Sequence, residues 1–291
     1  MRIRAIAGLV ALTLSGRAAF AQTVGQILED DFRNVGKDIL SIWGAPFDGT
    51  GRDYLIAAGS LALFGVSMVA DQDVSDWAIE NKDNAYFRFI KPVRRGGKLF
   101  TGKYAVPPIA ALYIIGVATN NQDLRDFVLG CGAAWVGESP PRKLVAYAFG
   151  RARPDSIPDD PQVWELGAGH GNWMMRSFPG GHLANVMGCV SFWNNRFRMG
   201  VVEPLLWAFA ASVGAGRLAD EAHWFSDQLI GGILGYAVGR ELAHRSLDRE
   251  GERAARRAAG AGALGTLRSG SFYMTPDPVT GGMRMGLGWQ F

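Results

Sequence analysis

Cysteine and histidine are scarce in this chain of 291 residues, with two of the first and four of the second. Cys131 and Cys189 stand in separate apolar segments with no other cysteine nearby, which excludes a C-x-x-C zinc or redox motif. Two separate buried thiols are expected, with a disulfide as the alternative if the chain is exported. Uncharged apolar runs are short. "YLIAAGSLALFGVSMVA" (54–70) and "YAVPPIAALYIIGVA" (104–118) stop near the boundary between a membrane span and a buried core helix. A buried bundle and a short-spanning membrane bundle both fit. The body of the chain also lacks a basic excess. The formal charge of +3 lies in Arg2, Arg4 and Arg17, and without those three the basic residues equal the 27 acidic ones. A nucleic-acid binder needs a basic face, so that class is excluded.

What is present is a chain able to bury a core. Hydrophobic residues make up 48% and charged ones 20%, enough for one large domain or two small ones and not a disordered composition. The first 21 residues read as a signal peptide: Arg2 and Arg4, a short apolar run from Ala5 to Leu14, and Ala19-Phe20-Ala21 as a cleavage site. The expectation is an exported protein of the periplasm or cell envelope. Helical spacing of Val24, Ile27, Leu28, Phe32, Val35 and Ile39 predicts an amphipathic helix over 24–46. Residues 127–150 read as a helix interrupted by Pro140-Pro141. The stretch 151–181 is rich in Pro, Gly, Asp and Arg, and a loop of that length is usually functional. Helical character returns at 183–193, 199–215 and 226–243.

After Arg240 the sequence becomes charged and then small. Residues 22–248 are therefore expected to form the helical domain and 249–268 a linker. From Met283 to Phe291 apolar residues alternate with Arg284, Gly286, Gly288 and Gln290, a period of two. With "SFYM" (271–274) and the turn "PDPVTGG" (276–282), this predicts a β-hairpin over 269–291. The fold class expected is all-α, a helical bundle with a small C-terminal hairpin.

Three short segments carry chemistry. "GRARP" (150–154) places Arg151 and Arg153 at a helix end, and arginine forks match phosphate oxygens. "SFPGGH" (177–182) leads Gly180, Gly181 and His182 into a helix, whose N-terminus favours an anion. "GRLADEAHWFSD" (216–227) holds Arg217, His223 and Asp227. If helical, His223 and Asp227 lie one turn apart, where a carboxylate can accept from one imidazole nitrogen and raise the basicity of the other. Three arginines, two histidines and a carboxylate suit phosphoryl transfer through a phosphohistidine. Singly, each segment has a plainer reading: a turn histidine, a solvated helix end, a helix-surface pair. Together, their order and spacing reverse that balance.

This set resembles the type 2 phosphatidic acid phosphatase family, which includes bacterial acid phosphatases and vanadium haloperoxidases. Its motifs are K-x6-R-P, P-S-G-H and S-R-x5-H-x3-D. The resemblance implies a family-type helical bundle and a phosphoric ester hydrolase acting on phosphomonoesters or pyrophosphates, lipid carriers among them. It implies His223 as nucleophile oriented by Asp227, His182 as general acid, and Arg153, Arg217, Gly181 and Gly180 around the phosphate. No metal or other cofactor is expected. The chain departs from the motifs at Ala146, where the lysine would stand, and at Gly180 and Gly216 in place of serines. Lys143, one helical turn earlier, and Arg151 are the candidate replacements for the lysine. A vanadate-dependent haloperoxidase and a catalytically weak envelope binding protein are the competing readings.

Overall fold

The computed structural model describes the backbone of residues 2–96, 102–157, 159–268, 271–276 and 283–288, and side chains within 23–93, 104–157, 159–256 and at 258. The chain divides into two compact units, Met1–His244 and Arg245–Phe291.

Helices build the first unit. In chain order they are α1 (Arg2–Asp48), α2 (Gly51–Ser67), α3 (Asp71–Glu80), α4 (Ala85–Gly96), α5 (Gly102–Ala118), α6 (Gln122–Phe149), α7 (Gly181–Phe197), α8 (Glu203–Ala219) and α9 (Phe225–Arg268), whose residues from Arg245 on are counted in the second unit. Of the expected leader, 1–21, only the backbone of 2–21 is described, and it is helical from Arg2. Local chemistry sets several starts. Thr50 accepts from the Asp53 N–H while Asp53 reaches back to Thr50, a capping box for α2. Asn121 accepts from the Leu124 N–H to cap α6. Helices α3 and α4 were not anticipated from the sequence.

Helix α6 departs from expectation. It runs unbroken through Pro140 and Pro141. Pro141 has no N–H to give the carbonyl four residues back, at Gly137. The indole of Trp43 on α1 donates to that carbonyl at 2.9 Å, so the orphaned acceptor is satisfied from a neighbouring helix. Ile42 packs against Gly137 beside it.

The core is centred on α6, α7 and α9. Ala133 and Ala134 of α6, Phe192 of α7 and Val238, Leu242 and Ala243 of α9 form one buried cluster, covered by Val35 and Ile42 of α1. A second cluster joins Val186 and Val190 of α7 to Ala210 and Val213 of α8. A third joins Ala78 of α3, Phe87 and Ile90 of α4, and Ala219 of α8. Helices α7 and α9 approach closely. A Cβ placed on Gly235 would lie 2.1 Å from the Ala184 carbonyl oxygen, and one on Gly231 would lie 2.2 Å from that of Gly180. Small residues every fourth position on both helices permit this crossing.

The cysteines are joined, contrary to the expectation of separate thiols. Cys131 of α6 and Cys189 of α7 form a disulfide with their Cα atoms 4.4 Å apart. The closeness of α6 and α7 explains it: the Phe192 ring fills the space where Gly130 lacks a Cβ. Sequence separation gives no hint of such proximity.

In the second unit, helical backbone continues to Arg268, through the stretch 249–268 that composition marked as a linker. Strands β1 (Ser271–Pro276) and β2 (Met283–Gly288) pair antiparallel, with Ser271 opposite Gly288 and Pro276 opposite Met283. Residues 277–282 of the expected turn, and 289–291, lie outside the described residues.

Candidate active site

Gly150 ends α6 in a left-handed conformation (φ 56°), and a Cβ there would lie 2.0 Å from the Glu165 carbonyl oxygen. Glycine thus lets the chain turn sharply from α6 into Arg151-Ala152-Arg153. That strip is held on both sides: Ala152 N–H donates to the Val163 carbonyl and Arg153 N–H to that of Met174. Beyond it, Ser177 N–H donates to the Arg151 carbonyl, and Gly180 N–H to that of Asp227. The first and second motif segments are thereby fixed to each other, and the second to the start of α9.

These hydrogen bonds shape a cleft of about 250 Å³ between α6, α7 and the segments before α7 and α9. His182 and His223 line it, with ring centres 6.4 Å apart. So do four cationic side chains, Arg142, Lys143, Arg153 and Arg176, and no acidic residue. Gly181 lines it too, as the first residue of α7, where a helix N–H has no intrahelical acceptor. A pocket lined by one sign of charge in low-dielectric walls concentrates an anion.

His223 lies just before α9, not on it. Its Nδ1 is 2.6 Å from the Ser177 carbonyl oxygen. A carbonyl only accepts, so Nδ1 carries the proton and Nε2 the lone pair. Burial pushes the imidazole pKa well below its ordinary value of 6.5, and the charges of Arg153, Arg217 and His182 push the same way. The ring is neutral at pH 7.

Asp227 corrects the one-turn pairing expected from its spacing. Its carboxylate accepts from Ser177 Oγ, from Arg151 Nη1 at 2.6 Å and from Trp224 N–H at 3.1 Å. It reaches His223 only through Ser177, because His223 stands in the loop and Asp227 in the first turn of α9, where it caps the helix. Arg151 is a second correction. Its side chain is fully buried and does not line the cleft. The guanidinium bonds Asp71 at 2.6 Å, Asp227, Ser226 and the Pro161 carbonyl, and no donor is left for a phosphate. Gly180 is a third: its N–H is taken by Asp227, and it lies outside the lining.

Lys143 lines the cleft, as does Ala146, the position of the missing lysine. Arg217 does not line it. Its Nη1 pairs with Asp220 at 3.2 Å, and its charge still acts on His223. Four participants escaped the sequence reading: Asp71, Arg142, Arg176 and Ser177. Arg142 precedes Lys143 and follows Glu138 by four, a helical ion-pair spacing. Arg176 and Ser177 adjoin the Pro-Gly-Gly turn. Asp71 carried no signal, being distant in sequence and alone. It accepts from Ser226 N–H and Oγ as well as Arg151, so α3 supports the start of α9 from behind.

Residues 130–250 match the model of the PAP2 superfamily. No curated relative matches the chain significantly. A solved structure similar to it is that of the first transmembrane PAP2 type phosphatidylglycerolphosphate phosphatase from Bacillus subtilis. The two are 17% identical, over 66% of this chain and 96% of that one, with a TM-score of 0.45. The matched segment contains every motif residue of the cleft.

Proposed function

We propose, on the premise that this chain belongs to the PAP2 superfamily through residues 130–250, that it is a phosphatase of phosphate esters and pyrophosphates, lipid ones among them. The observation that carries this reading is the His223 imidazole. It is neutral, with its proton held on Nδ1 by Ser177, in a cleft lined by four cations. In the reaction, His223 Nε2 attacks phosphorus and the bond to the leaving oxygen breaks. His182 donates its proton to that oxygen. Water then attacks phosphorus with His182 as base, the P–N bond breaks, and phosphate and free His223 result. Arg153 and the Gly181 N–H bind the non-bridging oxygens, with Arg217 adding positive charge. Asp227 and Ser177 are positioning residues.

Lipid substrates are supported by α2. Leu55, Ile56, Leu61 and Val66 are exposed on it, while Phe64 packs at a tilt against Phe178, four residues from His182, with ring centres 4.7 Å apart. Among the described residues, two segments, Gly51–Glu80 and Gly200–Ala219, are long and apolar enough to cross a membrane by length and composition. Membrane association and export are part of this proposal, the latter supported by the Cys131–Cys189 disulfide, since such bonds persist in oxidising compartments.

The test is phosphate release by the purified chain, with a chelator present, from a lipid phosphomonoester, a lipid pyrophosphate and a soluble phosphomonoester. His223→Ala is expected to abolish release from every substrate cleaved. Hydrolysis at the wild-type rate by that variant removes the proposal.

A further inference from the structure

Helix α6 carries a cation whose setting is unlike that of its neighbours. Arg142 Nε donates to Glu138 at 2.8 Å, one turn back. Glu138 is buried, 1% exposed, and also accepts from Ser139 Oγ. Burial pushes its carboxyl pKa up, and Arg142 opposes that shift through its charge and hydrogen bond. The Nη1 and Nη2 atoms of Arg142 make no hydrogen bond among the described residues. They lie over Gly181: a Cβ on that residue would be 2.4 Å from Nη1 and 2.8 Å from Nη2. The anchored guanidinium thus sits against the N-terminus of α7, in the cleft that holds His182 and His223.

We infer that Arg142, held at Nε by Glu138, binds the substrate phosphoryl group with its two terminal amino groups, and that Gly181 is required to let it lie there. A guanidinium tethered at Nε presents Nη1 and Nη2 as a pair, the geometry that meets two oxygens of one phosphate. Its charge joins the N–H groups at the start of α7 on the same anion. Ala146 faces the same cleft one turn along α6 and has nothing to offer an anion. Arg142 supplies from the preceding turn a charge that Ala146 cannot. This assignment rests on the reading of the cleft as a phosphate site.

The test is equilibrium binding of inorganic phosphate to the full chain by titration calorimetry. Arg142→Gln is expected to weaken binding about ten- to hundredfold, the range for a lost hydrogen-bonded charge. Arg142→Lys keeps the charge but not the fork, and is expected to fall between. Gly181→Ala displaces the guanidinium and weakens binding in the same direction. Because Arg142→Gln leaves Glu138 buried without its partner, the double variant Glu138→Gln/Arg142→Gln is measured as well. It is expected to lose phosphate binding while melting close to wild type. If both Arg142→Gln and the double variant bind phosphate as tightly as wild type, the inference is wrong. It also fails if the wild-type chain binds no phosphate. If wild type binds phosphate through Arg142 but releases none from any ester, this inference stands and the phosphatase reading falls.

Discussion

Replacing Asp71 with asparagine tests how His223, the proposed nucleophile, is held. Asp71 is wholly buried and takes three hydrogen bonds: Arg151 Nη2 at 2.6 Å, Ser226 N–H at 2.8 Å and Ser226 Oγ at 2.7 Å. Arg151 is equally buried and bridges Asp71 to Asp227. The asparagine keeps the shape and one acceptor but removes the charge. Breaking one partner of a buried ion pair costs about 3–5 kcal/mol, because the other charge stays buried. Asp227 still faces Arg151, so the lower end, about 3 kcal/mol, is expected. At about 2–4 °C per kcal/mol for domains of roughly this size, the melting temperature should fall by about 6–12 °C. Arg151 would shift toward Asp227, and Ser177, whose hydroxyl bonds Asp227 and whose carbonyl holds His223, would shift with it. The rate constant for phosphate release should then fall about tenfold or more, since small misplacements of a reacting group are costly. Affinity for inorganic phosphate should be retained, because Asp71 does not line the cleft. The assays are thermal unfolding by circular dichroism, phosphate release and phosphate titration. An unchanged melting temperature together with an unchanged rate would refute the reasoning.

Other outcomes follow from single contacts. Gly235→Ala would place a Cβ 2.1 Å from the Ala184 carbonyl oxygen, and backbone cannot yield cheaply, so a loss of about 3 kcal/mol or more is expected in denaturant titration. Gly36→Ala, with open space around it, should leave stability unchanged or slightly raised. Trp43→Phe removes the donor to the Gly137 carbonyl and should cost about 1–2 kcal/mol by the same titration without loss of phosphate release. His223 sets a pH dependence. Its folded pKa lies below 6.5, so the unfolded chain takes up a proton first as pH falls. Its contribution is therefore complete above about pH 6.5 and is lost as pH drops toward its folded pKa. Melting temperature between pH 7 and 5 should fall more steeply in wild type than in His223→Asn.

The helices were legible where apolar residues recur at helical spacing, as in α1, or form an uncharged run, as in α2 and α5. Helices α3 and α4 were not, because Asp71–Gly96 is short, charged and broken by Asp83 and Asn84. Pro140-Pro141 misled for a physical reason: the Gly137 carbonyl that Pro141 leaves without its N–H finds a donor in the Trp43 indole, nearly a hundred residues away. The cleft was legible as a set of residue types, with His182, His223, Arg153, Gly181 and Lys143 converging on it. The parts assigned to Asp227 and Arg151 were not, since spacing alone gave no sign that Asp71 and Ser177 would claim them. Arg142 escaped because its task depends on Glu138 below it and on Gly181 opposite, a contact across α6 and α7.

The most direct test of the account is to trap the proposed phosphoryl intermediate on the protein. The chain is mixed with a radiolabelled phosphate ester, quenched in alkali and digested, and the labelled peptide is identified by mass spectrometry. Phosphoramidate bonds survive alkali, and the account predicts label on the peptide containing His223, absent in His223→Ala. Label on another residue, or steady hydrolysis by His223→Ala, would contradict it.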